Sequence, residues 1–246
     1  MIRMLLFFAC IFAQDISVQN FRTEQKEYPR VKNAYQEKEM LIKQSLKQAN
    51  LPYPPNEIYI RIFKTEQVLE LWVRNQVSDT FQIFKEYKIC ASSGELGPKR
   101  REGDRQVPEG FYWVDKFIPM SNFHLALQIN YPNKSDSILG MNGKLGGKIC
   151  IHGDCVTIGC IPITDDCIKE VYLMAIEAKS SGQERIPVHI FPAKYKNGMQ
   201  AVQRFEKNKR LNDFWLNLKV GYDYFEKYKC LPKISVKKNG IYQYGT

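Results

Sequence analysis

Residues 151–160 read Ile151-His152-Gly153-Asp154-Cys155-Val156-Thr157-Ile158-Gly159-Cys160, so a histidine stands eight positions before a cysteine that follows a glycine. A thiol of ordinary pKa is only about 3% thiolate at pH 7, and a nucleophilic cysteine therefore needs a neighbour such as imidazole to hold its charged form. We interpret Cys160 as a candidate nucleophile and His152 as its general base. A core histidine and a buried thiol are the alternative interpretation.

The residues just before the loop alternate in the manner of a β-strand. In a strand, Cys150 and His152 share one face, whereas Ile149 and Ile151 point to the other face. The isoleucines are therefore predicted to face the core, and His152 to face a cleft.

Two glycines shape the predicted loop between His152 and Cys160. Gly153 lets the chain turn after the strand, and Gly159 lets the backbone approach a substrate closely. The backbone amides of Gly159 and Cys160 are candidate donors to a developing oxyanion.

The first 13 residues differ in character from the rest of the chain. Arg3 precedes an uncharged apolar run that ends at Ala13, and polar sequence follows from Gln14. This pattern predicts a signal peptide over residues 1–13, too short to span a bilayer, and export to the periplasm or cell envelope. A buried N-terminal element of a cytosolic protein and a lipoprotein processed at Cys10 are alternatives. No other apolar run is long enough for a membrane span.

The chain is basic, with a net charge of +10, and removal of residues 1–13 would take away Arg3 and leave +9. A basic exported protein is expected to meet an acidic partner. The positive residues are scattered among acidic ones and no nucleic-acid-binding signature is present, so we predict no nucleic-acid partner. Cell-wall polymers with carboxylate-bearing peptides fit the predicted export better.

Seven cysteines stand at positions 10, 90, 150, 155, 160, 167 and 230. Removal of Cys10 leaves six, an even number that is compatible with disulfides in an oxidising compartment. If Cys160 is a free nucleophile, at least one other cysteine is also unpaired, and we interpret the others as small buried residues. A zinc site among residues 150–167 is an alternative. The cysteines and the histidine in this range do not form the Cys-x-x-Cys ligand pairs of structural zinc sites. We therefore predict no metal ligand and no cofactor.

The spacing of apolar residues predicts a helix over 29–49. After this helix, apolar residues recur at every second position, as in a strand. The apolar positions of this helix are Val31, Ala34, Tyr35, Leu41, Ile42 and Leu46. Three strands follow within 57–89 and are joined by short turns, which predicts an antiparallel meander. Further strand candidates are 111–114, 123–129, 148–152 and 188–191.

A second helix is predicted directly after Cys160, because Thr164 offers a capping residue and Ser180-Ser181-Gly182 ends the pattern. Residues 198–228 are predicted to form C-terminal helices. The fold class is therefore a β-rich α+β fold. Its predicted divisions are an N-terminal helical segment over 14–56, a main domain over 57–195 and a C-terminal helical extension over 196–246.

Further motifs stand in a consistent order around residues 151–160. They are Ser93-Gly94-Glu95-Leu96-Gly97-Pro98-Lys99, residues 102–112, Phe123-His124-Leu125, Tyr131-Pro132-Asn133 and residues 186–192. Together, over about residues 57–230, they resemble the L,D-transpeptidase catalytic-domain family of the YkuD type. They closely resemble its YafK-like branch of exported murein enzymes.

The resemblance implies a mixed β-sandwich with a helix after the catalytic cysteine and flanking N- and C-terminal helices. It also implies an acyl-enzyme that acts on peptidoglycan stem peptides. Cys160 matches the nucleophile and His152 the base, and the Gly153 carbonyl would orient the imidazole. Cys160 would attack a meso-diaminopimelate carbonyl, His152 would protonate the leaving amine, and an acceptor amine or water would complete the cycle.

The chain also departs from the usual family pattern of Ser-His-Gly-Cys. Ile158 stands at the position of the second histidine, Pro162 stands where a polar residue is usual, and the loop is shorter. These departures agree with the YafK-like branch, which includes enzymes that hydrolyse a meso-diaminopimelate linkage, for example to release a wall-anchored lipoprotein. We predict an L,D-transpeptidase, with such a hydrolase or a non-catalytic wall-binding module as alternatives.

Candidate substrate contacts lie in or next to two of the family motifs. Lys99, Arg100 and Arg101 form a basic cluster, and such groups suit the carboxylates of stem peptides. A solvated surface loop is the alternative for this cluster. His124 is predicted to line the cleft, with a satisfied histidine near the core as its alternative, whereas His189 is predicted to be structural.

Overall fold

The computed structural model describes residues 21–75, 80–141, 143–195 and 208–245. The predicted signal peptide, Cys10 and the first part of the predicted C-terminal helices lie outside these ranges. Among the helices described, none is both long and apolar enough to cross a membrane.

The described chain alternates blocks of strands with helices. A helical segment over 21–26 comes first. It is followed by α1 Pro29–Gln48, β1 Glu57–Phe63, β2 Val68–Arg74, β3 Gln82–Lys88, β4 Gly110–Ser121, β5 His124–Ile129, α2 Lys134–Leu139, β6 Cys150–His152, β7 Ile161–Pro162, α3 Asp165–Ser180, β8 Pro187–Phe191, α4 Lys209–Tyr228, β9 Lys233–Val236 and β10 Tyr242–Gly245. The predicted β-rich α+β class is confirmed, as are the first helix, the three-strand meander and the helix after Cys160.

Eight strands form one mixed sheet in the order β3-β2-β1-β8-β4-β5-β6-β7. The pairs β1·β8 and β6·β7 are parallel, and the other pairs are antiparallel. The first residues of β4 pair with β8 and its later residues with β5, with a register shift between Val114 and Lys116. A strand that changes partners at such an irregularity commonly joins the two layers of a sandwich.

One hydrophobic core unites both halves of the sheet with α1 and α3. Ile60 of β1, Leu127 of β5 and Ile151 of β6 are all fully buried in it. On α1, Leu41 was predicted to face this core but is 53% exposed, and Lys38 is buried instead. Lys38 lies seven residues after Val31 and thus on the buried stripe, where its ammonium pairs with Asp166 at 2.5 Å. Leu41 is displaced from that stripe.

The C-terminal segment is only partly helical. Residues 196–246 were predicted as a helical extension with helices over 198–228, whereas β9 and β10 form an antiparallel hairpin after α4. The connecting turn contains Asn239-Gly240, and Gly240 has a φ of +83°. Asn-Gly is a strong hairpin signal because both residues tolerate positive φ, so the sequence carried an indication of this hairpin.

A buried carboxylate attaches α4 to the main sheet. Glu109 is fully buried, and its carboxylate accepts hydrogen bonds from the Trp215 indole at 2.7 Å and from the Gly97 amide at 2.8 Å. The Lys64 ammonium lies 2.9 Å from the same carboxylate. The C-terminal helix is therefore joined to the motif around residue 97 through a polar contact in the interior.

We expect Trp215→Phe to lower the free energy of unfolding by about 1–3 kcal/mol, because it removes a donor from a buried carboxylate. Chemical denaturation followed by circular dichroism measures the change. Leu216→Ala, on the exposed side of α4 with 58% of the leucine accessible, is the matched control and should change stability by less than about 0.5 kcal/mol. Equal stability of Trp215→Phe and the wild type would contradict the assigned contact.

Candidate active site

The site forms where β6 and β7 lie side by side. Their parallel register pairs Ile151 with Ile161 and His152 with Pro162. Ile149 and Ile151 are buried in the core, so the predicted alternation along this strand is confirmed. Cys160, directly before β7, is half-buried beside the opposite face, and the His152 imidazole helps to lower the pKa of its thiol.

His152 is held in one orientation by its surroundings. Its Nδ1 hydrogen bonds to the Gly153 carbonyl oxygen, and because a carbonyl only accepts, Nδ1 carries the hydrogen. Nε2 is therefore the nitrogen left for Cys160. The Phe123 ring covers the imidazole, with ring centroids 4.7 Å apart. Phe123 belongs to a motif noted in the sequence, but the sequence did not assign it to the site.

The electrostatics of the pair favour a thiolate and an imidazolium. Burial lowers the pKa of His152, but hydrogen bonds to Cys160 and to the Gly153 carbonyl outweigh it, so the net shift is upward. The pKa of Cys160 is held well below its ordinary value, chiefly by a hydrogen bond from the Cys150 thiol and, against the effect of burial, by His152. The Cys150 amide adds a donor 3.4 Å from the Cys160 sulfur.

The turn after β6 is anchored to the start of α3. The Asp165 carboxylate accepts a hydrogen bond from the Asp154 amide at 2.8 Å. A Cβ at position 153 would overlap this carboxylate, which is why only glycine fits there. Thr164 caps α3 through its side chain, as predicted from the sequence.

The Thr157 hydroxyl organises the second half of the loop. It accepts hydrogen bonds from the amides of Gly159 at 3.1 Å and Cys160 at 2.8 Å, and donates to the Cys160 carbonyl at 2.8 Å. These are the two amides predicted to hold an oxyanion, and that role stays a prediction. A substrate oxygen would have to displace Thr157 Oγ1 to reach them. This role of Thr157 was not predicted from the sequence. The signal for it was a hydroxyl residue placed just before a turn.

A disulfide ties the loop to the end of the β-meander. Cys90 and Cys155 are bonded, with 5.4 Å between their Cα atoms, across 65 positions of sequence. The interpretation of these two cysteines as small buried residues was therefore wrong. The sequence does not show that these two cysteines are close. They meet because the segment at Cys90 packs against β7, where the Cys90 amide donates to the Pro162 carbonyl at 3.0 Å.

No group of three or more His, Cys, Asp or Glu side chains in the described ranges could hold a metal ion.

The basic motif is braced by acidic partners. Lys99 is only 4% exposed, and its ammonium lies 2.5 Å from the Asp104 carboxylate. Arg100 lies 3.4 Å from the buried Asp136 and stacks over the Phe214 ring. These contacts stabilise the loop, and the predicted contacts of Lys99 and Arg100 with substrate stay predictions.

His124 lies beside the turn at Gly153. A Cβ at position 153 would be 3.0 Å from the His124 Cβ, and the His124 carbonyl accepts a hydrogen bond from Arg30 at 2.7 Å. Its Nε2 is buried and has no hydrogen-bond partner among the described residues. Burial lowers the pKa of this imidazole. The structure thus brings His124 close to His152, and its contact with substrate stays a prediction.

His189 is buried in the β8 ladder and bonds to the Tyr59 hydroxyl, as a structural histidine would.

A thiol–imidazole pair on a mixed sheet agrees with the comparisons to known proteins. The family model of the L,D-transpeptidase catalytic domain, YkuD, matches residues 57–190. The chain belongs to this family. YafK of Escherichia coli (strain K12), which carries the name of an L,D-transpeptidase, is 41% identical over 187 residues, covering 75% of this chain and 72% of that protein. YafK of Escherichia coli O157:H7 gives the same values. The resemblance stated from the motifs is confirmed.

Solved structures with a similar fold are more distant. The helical cell shape determining protein Pgp2 from Campylobacter jejuni is 18% identical with a TM-score of 0.44, covering 74% of this chain and 73% of that chain. Its K307A mutant is 23% identical with the same TM-score, and the matched region spans about half of that chain, 49%. Bd1075 from Bdellovibrio bacteriovorus is 23% identical with a TM-score of 0.40, covering 63% of this chain and 57% of that chain.

We expect Cys160 to react with iodoacetamide at a rate that changes little between pH 8 and pH 6. Its lowered pKa keeps the thiolate populated in this range, whereas an ordinary thiol of pKa about 8.5 would slow roughly 80-fold. Peptide mass spectrometry measures alkylation at Cys160 alone, with glutathione as the reference thiol. His152→Ala should make the pH dependence of the Cys160 alkylation rate more like that of glutathione. A wild-type profile that already coincides with glutathione would contradict the ion pair.

We expect Thr157→Val to slow acylation of Cys160 by about tenfold, equivalent to about 1.4 kcal/mol, because the loop loses all three bonds of the hydroxyl. Thr157→Ser keeps the hydroxyl and should restore most of the rate. Single-turnover acylation, measured by intact mass, provides the readout. If the valine and serine variants reacted equally fast, the hydroxyl would have no part in shaping the loop.

Proposed function

We propose that this protein is a cysteine acyltransferase that acts on meso-diaminopimelate-containing stem peptides of peptidoglycan, with Cys160 as nucleophile and His152 as general base. One observation carries the proposal. The imidazole donates from Nδ1 to the Gly153 carbonyl and contributes to lowering the pKa of the Cys160 thiol. Membership of the L,D-transpeptidase family supports the substrate class.

The proposed reaction consists of two acyl transfers. The Cys160 thiolate forms a bond to the meso-diaminopimelate carbonyl carbon, and the charge moves to the oxygen. Collapse of this intermediate expels an amine, which takes its proton from His152 and leaves a thioester. An acceptor then attacks the thioester while His152 removes its proton, and the C–S bond breaks to release the Cys160 thiolate. The amides of Gly159 and Cys160 would stabilise the oxyanion after it displaces the Thr157 hydroxyl.

Three residues are proposed to contribute to substrate recognition. His124 has the strongest support, because its buried and unpartnered Nε2 lies next to the catalytic turn. Lys99 and Arg100 would act mainly through the positive potential of their motif, since both are paired with carboxylates. The overall charge of +10 would favour approach of the acidic stem peptides.

We further propose that the protein is exported to the periplasm or cell envelope. The signal-like pattern of residues 1–13 supports this, and the Cys90–Cys155 disulfide is typical of proteins in oxidising compartments. Intact mass of the protein from membrane fractions would separate cleavage near Ala13 from a lipid-modified Cys10.

Hydrolysis is the second candidate activity, because Ile158 replaces the family's second histidine. Its side chain is 79% exposed on the catalytic loop and has no polar group to receive an acceptor amine. Water would then compete well as the acceptor, and the substrate would be a meso-diaminopimelate linkage, for example to a wall-anchored lipoprotein.

We expect purified muropeptides incubated with the protein to be altered in a Cys160-dependent manner, with mass spectrometry as the readout. New cross-links that increase with an added amine would indicate transpeptidation, whereas loss of linked peptides without new cross-links would indicate hydrolysis.

Cys160→Ala should abolish either reaction while circular dichroism stays unchanged. Cys167→Ala, which removes another half-buried thiol, is the matched control and should retain activity. Full turnover by the Cys160→Ala variant would overturn the mechanism. Binding of peptidoglycan by the wild type with no turnover would favour a wall-binding module.

A further inference from the structure

A second thiol faces the candidate nucleophile across the β6·β7 ladder. Cys150 stands one residue before Ile151 and Cys160 one residue before Ile161, and these two isoleucines are paired in parallel register. The cysteines are therefore neighbours across the ladder, on the face opposite the isoleucines. Adjacent strands lie about 4.8 Å apart, and disulfides span Cα separations of about 4.4–6.8 Å.

The contacts of the two sulfur atoms show that they lie close to the same backbone groups. The Cys150 amide donates to the Cys160 sulfur at 3.4 Å. The Cys150 and Cys160 sulfurs lie 3.5 Å and 3.7 Å from the same acceptor, the Lys148 carbonyl oxygen. Both residues are half-buried, so a small molecule from solvent can reach them.

In the proposed acyl transfer Cys150 forms no bond to substrate and moves no proton, because Cys160 supplies the nucleophile and His152 the proton transfer. We propose that Cys150 and Cys160 are a modification site for hydroperoxides, in which Cys150 resolves oxidised Cys160 as a reversible disulfide. This inference requires the two thiols and their geometry. It does not depend on the proposed substrate.

The chemistry balances in two steps. The Cys160 thiolate attacks the terminal oxygen of a hydroperoxide and the O–O bond breaks. The leaving alkoxide or hydroxide takes a proton from the His152 imidazolium and departs as an alcohol or water. This oxidises the sulfur to sulfenic acid and reduces the peroxide. The Cys150 thiol then attacks the sulfenic sulfur, the S–O bond breaks, and the hydroxyl leaves as water with the Cys150 proton. A thiol reductant restores both cysteines by exchange.

The surroundings favour the disulfide over further oxidation. The thiolate character of Cys160 makes it the first sulfur to react, and the neighbouring thiol can trap the sulfenic acid before it forms the irreversible sulfinic acid. The Cys90–Cys155 bond is already oxidised, so it does not compete as a partner. The disulfide would block attack by Cys160 until it is reduced.

The experiment treats the full chain with a small excess of hydrogen peroxide and maps its peptides by mass spectrometry without reduction. The wild type should lose the mass of two hydrogen atoms and yield a peptide that links Cys150 to Cys160. Dithiothreitol should restore at least 90% of the Cys160 thiol, scored by alkylation of that cysteine.

Cys150→Ser keeps a small polar side chain. In this variant Cys160 should instead gain two or three oxygen atoms, and dithiothreitol should restore less than 10% of the Cys160 thiol. Cys167→Ser is the matched control and should behave like the wild type.

The proposal is overturned if the wild type accumulates sulfinic acid on Cys160 as fast as Cys150→Ser does, or if Cys160 links to another cysteine. The readout is mass and thiol content, so it is independent of peptidoglycan turnover. A linked pair in a protein that leaves muropeptides unchanged would contradict the proposed function and support this modification site.

Discussion

The site depends on a short connection between two parallel neighbouring strands. Such neighbours are usually joined by a crossover of a dozen or more residues, whereas only residues 153–160 link β6 to β7. The chain must therefore turn back sharply, which requires backbone conformations that few residues adopt. Asp154 has a φ of +59°, and Gly159 has a φ of +133°. A Cβ on Gly159 would also stand 3.1 Å from the Gln106 carbonyl oxygen. This constraint brings Cys160 beside His152.

Three attachments hold this strained loop, and each comes from a different part of the chain. The Asp165 carboxylate fixes its beginning, the Thr157 hydroxyl fixes its end, and the disulfide from Cys90 fixes its middle. Because they act on successive segments, the loop has little freedom left before any substrate arrives. The proposed nucleophile, held in this way, would lose less conformational entropy when it reacts. The loop is thus a rigid carrier for the thiol, although it is largely exposed.

The sequence predicted those parts of the fold that carry a repeating pattern. The strands of the meander and the capped helix after Cys160 extend over enough residues to show their periodicity. The pairing of His152 with Cys160 was also predictable, because both lie in one short motif. β7 has two residues and shows no period, and the Cys90–Cys155 bond joins segments that only the folded sheet brings together. The acidic partners of the basic motif were not predictable for a similar reason, since Asp104 and Asp136 meet Lys99 and Arg100 only in the folded chain.

The use of a carbonyl to orient His152 has an electrostatic consequence. A carboxylate at Nδ1 would stabilise the imidazolium by its own negative charge and would compete with the thiolate for it. The Gly153 carbonyl orients the ring as a neutral dipole, so the thiolate remains the nearest anionic partner of the imidazolium. The Cys150 amide and thiol are likewise neutral donors to the sulfur. Negative charge is therefore concentrated on Cys160, and the property that suits this sulfur for the proposed acyl transfer also exposes it to oxidants. A neighbouring thiol can trap the resulting sulfenic acid as a disulfide, which keeps such oxidation reversible.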